Sequence, residues 1–188
     1  SRRISYINKF RKELLKNKKE IASTIKNETG KIDFDITVEI LTSLEHLKQI
    51  ASIAKKALKI QRRNAGLMKT KKAYVKYEPL GVAGVIAPWN YPLATPLTSS
   101  SEALIAGNNV ILKPSEHTPL TSKLLKKIWD NTIEYRNAFQ VVIGGADVGE
   151  SIVKNSDIDI VCFTGSTSVG RIIAKQCAET LKPCILEL

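Results

Sequence analysis

Gly81-Val82-Ala83-Gly84-Val85-Ile86, followed at once by Ala87-Pro88-Trp89-Asn90-Tyr91-Pro92, is the passage from which the architecture can be built outward. Six small or branched apolar residues without polar alternation read as a strand buried on both faces. Two prolines then end it, because a proline fixes its own φ and has no N–H for a ladder. The same unit recurs downstream. Apolar runs at 109–112 (NVIL), 139–143 (FQVVI), 158–163 (IDIVCF) and 184–188 (CILEL) alternate with helical stretches at about 93–106, 119–132, 147–154 and 168–181. Thr118-Pro119 reads as an N-cap followed by proline in the first helical turn. Strand-helix-strand repetition with right-handed crossovers predicts an α/β fold on a doubly wound, Rossmann-like parallel sheet.

Upstream of this passage the period changes. Residues 4–28 form one amphipathic helix on sequence, with Ile4, Ile7, Phe10, Leu14, Ile21 and Ile25 on its stripe. Gly30 then suits a left-handed cap. A second helix spans 35–60, with Ile36, Ile40, Leu44, Leu47, Ile50, Ala54 and Leu58 on one face. Arg62-Arg63-Asn64-Ala65-Gly66 breaks that pattern, and 73–78 reads as extended up to Pro79.

The chain has 188 residues, 43% of them hydrophobic and 25% charged, as expected of a globular chain of one domain or slightly more. Its net charge is +11, but residues 1–76 hold 20 Lys/Arg against 7 Asp/Glu, and the rest is slightly acidic. These basic residues are spread around helical turns with no aromatic interleaved for base stacking. They read as a solvated surface and not as a nucleic-acid interface. No apolar run is long enough to cross a membrane, and the first 20 residues lack the apolar core of a secretory signal. Cys162, Cys177 and Cys184 show no C-x-x-C spacing, which disfavours disulfides and zinc and points to a reducing, cytoplasmic setting. His46 and His117 have no metal-ligand partner at a recognisable spacing, so no metal site is expected.

Chemistry collects at the ends of the predicted strands, where open α/β sheets place ligands. Asn90, bracketed by prolines, is either a rigid donor to an oxyanion or part of a stiff surface turn. Lys113 and Glu116, flanking Pro114 and Ser115, could grip a ribose or form a surface ion pair. Phe163-Thr164-Gly165-Ser166-Thr167-Ser168-Val169-Gly170-Arg171 places Gly, Ser and Thr at a helix start, where free N–H groups suit a phosphate. The G-x-x-x-x-G spacing there lacks the Lys-Ser/Thr of a P-loop, so it serves equally as a plain capped helix start. Gly145 and Gly149 lie in a flexible turn after a strand, which could line a cofactor cleft or equally be a plain loop. Glu187 sits among Ile185, Leu186 and Leu188, where desolvation would make it a better general base. The three cysteines read as structural, Cys162 inside a strand.

Taken together and in order, Glu78-Pro79-Leu80-Gly81-Val82, Pro88-Trp89-Asn90-Tyr91-Pro92, Lys113-Pro114-Ser115-Glu116, Phe163-Thr164-Gly165-Ser166-Thr167 and Leu186-Glu187-Leu188 resemble the aldehyde dehydrogenase superfamily. The resemblance covers nearly the whole chain and implies NAD(P)-dependent oxidation of an aldehyde to a carboxylic acid, with NAD favoured over NADP. It implies that Asn90 supplies the side-chain half of an oxyanion hole and Glu187 the general base. Lys113 and Glu116 would bind the adenosine ribose, and Ser115 between them would also be cofactor-binding. Gly165 and Ser166 would form the pyrophosphate-binding helix start, with Val169 near the adenine and Phe163 and Gly170 also cofactor-binding. Ala87, Pro88, Trp89, Gly145 and Gly149 would line the cofactor cleft.

The same resemblance implies that residues 1–188 are a partial NAD(P)-binding domain, an incomplete Rossmann-like sheet preceded by two helices. Residues 67–79 resemble the start of an oligomerisation segment, so a homo-oligomer is expected. Family members are more than twice this length, and their nucleophilic cysteine lies beyond the glutamate motif in a catalytic domain absent here. The expectation is therefore a truncated chain, inactive alone, whose partner in the longer enzyme is an aldehyde. The alternative is a non-catalytic nucleotide-binding or interaction module.

Overall fold

The structure, a computed structural model, describes residues 2–188. In chain order it contains α1 (Arg2–Lys16), α2 (Lys18–Thr29), α3 (Asp33–Ala57), β1 (Gln61–Arg63), β2 (Ala73–Val75), β3 (Val82–Ile86), α4 (Ala94–Ala106) and β4 (Asn109–Lys113). It continues with α5 (Pro119–Thr132), β5 (Phe139–Val141), α6 (Ala146–Lys154), β6 (Ile160–Thr164), α7 (Thr167–Glu179) and β7 (Cys184–Glu187).

The predicted sheet is present, with strand order β5-β4-β3-β6-β7 and every pairing parallel. The chain steps outward from β3 to β4 and β5, then returns to the other side of β3 for β6 and β7. Period-2 alternation decides which face each residue covers. Ala83, Val85, Val110 and Leu112 pack with α1, α3, α4 and α5. Val82, Ile86, Ile111, Val161 and Phe163 pack with α6 and α7. Right-handed crossovers to the left and right of β3 thus put their helices on opposite faces.

Trp129 on α5 ties the first layer together. It is buried, with its ring edge-on to Phe10 of α1 at 5.2 Å and to Phe139 of β5 at 5.8 Å.

Three local expectations need correction. The single helix over 4–28 is two, because Asn17 interrupts it. Its side-chain amide donates to the Glu13 carbonyl at 2.8 Å, the same oxygen its backbone N–H uses at 3.0 Å. Such self-competition bends a helix. Gly30 does close α2 in the left-handed region, at φ 68°. Secondly, Arg62-Arg63 is not merely a breaker. It pairs antiparallel with 73–75 in a two-stranded ribbon that needs only backbone partners, Arg62 opposite Tyr74. Thirdly, α5 starts at Pro119 with Thr118 at its N-cap position as expected, but the Thr118 side chain makes no capping hydrogen bond. The Thr118 hydroxyl is buried without a partner, while the N–H groups of Leu120 and Thr121 donate to the Glu28 carboxylate of α2. The start of α4 is held likewise, by Glu39 of α3 accepting from Leu93 and Ala94.

Candidate active site

The turn after β3 leads onto one face of the sheet and the turn after β6 onto the other, so a crevice opens between their carboxyl ends. Doubly wound sheets bind ligands at such a switch point. The crevice is an open cleft of about 530 Å³. Pro88, Trp89 and Asn90 come to it from the β3 turn, Gly165 and Ser166 from the β6 turn, and Glu187 from the end of β7. Thus five sequence-predicted residues beyond Pro88 converge that lie up to about a hundred positions apart. Thr95 of α4 and Thr164 of β6 also line the cleft. Thr95 gave no signal in the sequence, whereas Thr164 belongs to the Phe163–Thr167 stretch singled out there.

The β3 turn is anchored before it is exposed. Ala87 is buried, and its N–H donates to the Lys113 carbonyl at 3.0 Å. Trp89 and Asn90 then emerge into solvent. On the other wall, the first-turn N–H groups of α7 lack intrahelical partners. Ser166 caps that helix, its hydroxyl accepting from Val169 N–H. Gly165 has a packing reason of its own, since a Cβ there would stand 2.5 Å from the Phe163 ring. Phe163 itself is core beneath the turn and does not face the cleft. Val169 is exposed on the first turn of α7, and Gly170 is buried where a Cβ would strike Leu188.

A second group stands past the end of β4, apart from the cleft. Lys113 is 5% exposed, an unusual place for a lysine. Its Nζ donates to the Pro114 carbonyl at 3.0 Å and faces Glu116 at 3.4 Å. The Glu116 backbone N–H, and after it Lys113, hold the Glu116 carboxyl below the usual carboxylate range. Half of that side chain is exposed, so the pair can still reach a ligand. Ser115 is buried, its hydroxyl accepting from His117 N–H and shaping the turn. Gly149 lies against the Lys113 stem, where a Cβ would stand at ordinary contact distance, 3.7 Å from Cδ. Gly145 precedes α6 as its N-cap.

Two expectations about burial change. Glu187 is exposed, because β7 is an edge strand and the face carrying Ile185 and Glu187 has no helix over it. Its carboxylate is therefore open to solvent and not enclosed among apolar neighbours as the sequence suggested. Cys162 is half-buried, and lines a groove of about 430 Å³ beside α4 on that same face. Burial, and secondarily Glu102, push its thiol pKa up. Burial does the same to Cys177. A raised thiol pKa is the opposite of what a nucleophilic cysteine needs.

The family model described as the Aldehyde dehydrogenase family matches residues 1–188. This chain belongs to that family. The "Probable coniferyl aldehyde dehydrogenase" of Pseudomonas aeruginosa is 38% identical over 191 residues, covering 100% of this chain and 40% of that protein. The "Benzaldehyde dehydrogenase [NAD(+)]" of Pseudomonas putida is 49% identical over 58% of this chain and 23% of its own length. Among solved structures, a Mycobacterium tuberculosis aldehyde dehydrogenase complexed with NAD+ superimposes with a TM-score of 0.94 at 34% identity, covering 100% of this chain and 38% of that one. The chain thus spans about two fifths of the length of the first of these relatives. Within this aldehyde dehydrogenase fold, no helix among the described residues is long and apolar enough to cross a membrane.

Proposed function

We propose that these 188 residues are the coenzyme-binding part of an enzyme that oxidises an aldehyde to a carboxylic acid with NAD(P). One observation carries the reading: Asn90, Glu187 and the open first turn of α7 share one cleft at the switch point of the sheet.

The residues present fit a dinucleotide. The N-terminus of α7, entered through Gly165 and Ser166, offers N–H groups and a positive dipole end to a pyrophosphate. Lys113 can donate to ribose hydroxyls and Glu116 can accept from them. Hydride acceptance is the chemistry such a dinucleotide supplies when bound. Asn90 donates hydrogen bonds to the carbonyl oxygen as negative charge develops on it. Glu187, exposed at the cleft, takes a proton from the water that releases the acid. A cysteine thiolate attacks the carbonyl carbon in this scheme. None of Cys162, Cys177 or Cys184 is suited to that step. Residues 67–79 begin an oligomerisation segment on this reading, supported by the exposure of Leu67, Met68 and Tyr74 around the β1–β2 ribbon.

The test is formation of reduced nicotinamide by the full-length enzyme with a panel of aromatic and aliphatic aldehydes. Turnover is expected there. The 188-residue chain on its own is expected to give none. Activity of that chain which vanished on replacing one of its cysteines would show that a thiol read as structural is the nucleophile.

Glu116 should favour NAD, because a 2′-phosphate would meet a carboxylate at the ribose. The lowered pKa means that this carboxylate stays charged until the pH falls below the ordinary carboxylate range, so the preference should hold across neutral pH. Glu116→Gln is expected to cut the NAD-over-NADP ratio of kcat/KM about tenfold, equivalent to roughly 1.4 kcal/mol. An unchanged ratio would remove Glu116 as the discriminator.

A further inference from the structure

We propose that Glu39 is a positioning residue for Asn90: its buried carboxylate pins the turn that carries the oxyanion donor, from behind through backbone N–H groups and from the side through Lys31 and Tyr91. The inference rests on the reading of Asn90 given above.

The Glu39 side chain has no exposed surface. A carboxylate in that position is costly unless its oxygens are satisfied, and both are. Oε1 accepts from Leu93 N–H at 2.9 Å and Ala94 N–H at 3.1 Å. Oε2 meets Lys31 Nζ at 2.6 Å. The same ammonium stands over the Tyr91 ring, 3.9 Å from its centroid, within the range of a cation–π contact.

A helix start needs no such arrangement for its own sake. Ser, Thr, Asp or Asn at the N-cap would satisfy it locally. The N-cap of α4 is Leu93 instead, without a side-chain cap, and the acceptor comes from another helix 54 positions earlier. Its two oxygens reach the chain just after Asn90, one directly at Leu93 and Ala94 and the other through Lys31 at Tyr91. Tyr91 is the following residue, and Leu93 and Ala94 come three and four positions on. Pro88 and Pro92 fix φ on either side, and Ala87 N–H is tied to β4 in front. The turn is thereby held at its front, rear and flank while Asn90 itself stays exposed. Displacement of a reacting group by about 1 Å can cost on the order of 100-fold in rate, so a fixed turn matters to an oxyanion donor.

The experiment compares Glu39→Gln, Asn90→Ala and the double variant in the full-length enzyme, reading kcat, cofactor Kd and hydrogen exchange of the amides at 90–95. Glu39→Gln keeps one acceptor but loses the charge that gathers Lys31. It is expected to lower kcat roughly 10- to 100-fold, leave cofactor Kd within about twofold, and speed exchange at 90–95 and not in the other helices. In the Asn90→Ala background the same change should alter kcat less than about threefold, because no amide remains to be positioned. A merely structural role would give additive losses. Should Glu39→Gln not accumulate as folded protein, Lys31→Gln reads the same link through Tyr91, with a smaller fall in kcat that Asn90→Ala again abolishes. A large effect of Asn90→Ala combined with a negligible or additive effect of the Glu39 and Lys31 variants would overturn this inference alone. A negligible effect of Asn90→Ala would overturn the oxyanion reading and this inference with it.

Discussion

Asn90→Ala in the full-length enzyme is expected to lower kcat by roughly 10²–10³-fold, the loss seen when one preorganised oxyanion donor is removed. Cofactor affinity should barely change, because the groups proposed to hold the pyrophosphate and the ribose lie at the start of α7 and at the end of β4, on elements that the substitution does not touch. The side chain is exposed and sits in a turn already fixed by Pro88 and Pro92, so stability should be unaffected within about 0.5 kcal/mol. Steady-state kinetics with saturating aldehyde, alongside fluorescence titration of the reduced cofactor, checks both halves. A kcat within a fewfold of the parent would make Asn90 a structural turn residue.

Trp129→Ala should cost about 3–5 kcal/mol of stability, as for other buried large aromatics truncated to alanine. Trp129 is 2% exposed and contacts Phe10 and Phe139 edge-on, so its loss uncouples the N-terminal helices from β5 together with α5. Edge-to-face pairs add to the area term, which places the expected cost in the upper part of that range. Trp129→Phe keeps most of the ring and gives up the indole N–H, which donates to the Tyr135 carbonyl at 3.4 Å. It should cost clearly less. Urea unfolding followed by far-ultraviolet circular dichroism ranks the two, and equal midpoints for Trp129→Ala and the parent would contradict the packing account.

The β3–α4–β4 and β6–α7–β7 units were legible in the sequence because their strands are continuous apolar runs bounded by Pro, Gly and Ser, and each lies within two residues of its observed limits. Asn90, Gly165, Ser166 and Glu187 were legible as strand-end residues, since ligand sites in such sheets lie there. What was not legible depends on partners far away in the chain. Glu39 occurs three residues after Ile36 on the buried stripe of α3, which marks it as a polar residue on an apolar face. Nothing local says that it reaches Leu93. Thr118 fitted every rule for an N-cap, yet Glu28 offers two oxygens and a full charge where a hydroxyl offers a weaker acceptor. The exposure of Glu187 was hidden for another reason. A strand apolar on alternate residues looks the same in sequence whether or not a helix covers its second face.

The two long-range caps also bear on how the chain comes off the ribosome. Glu28 and Glu39 lie in α2 and α3, while α4 and α5, whose first turns they complete, are made later. Synthesis runs from the N-terminus, and upstream elements are available first. The carboxylates are therefore waiting when the incomplete first turns of α4 and α5 emerge, and each helix can be finished on arrival. A chain begun after α3 would lay down the same sheet residues with two crossover helices whose starts have no acceptor. Those starts would open readily, and they would be where a protease first finds slack backbone.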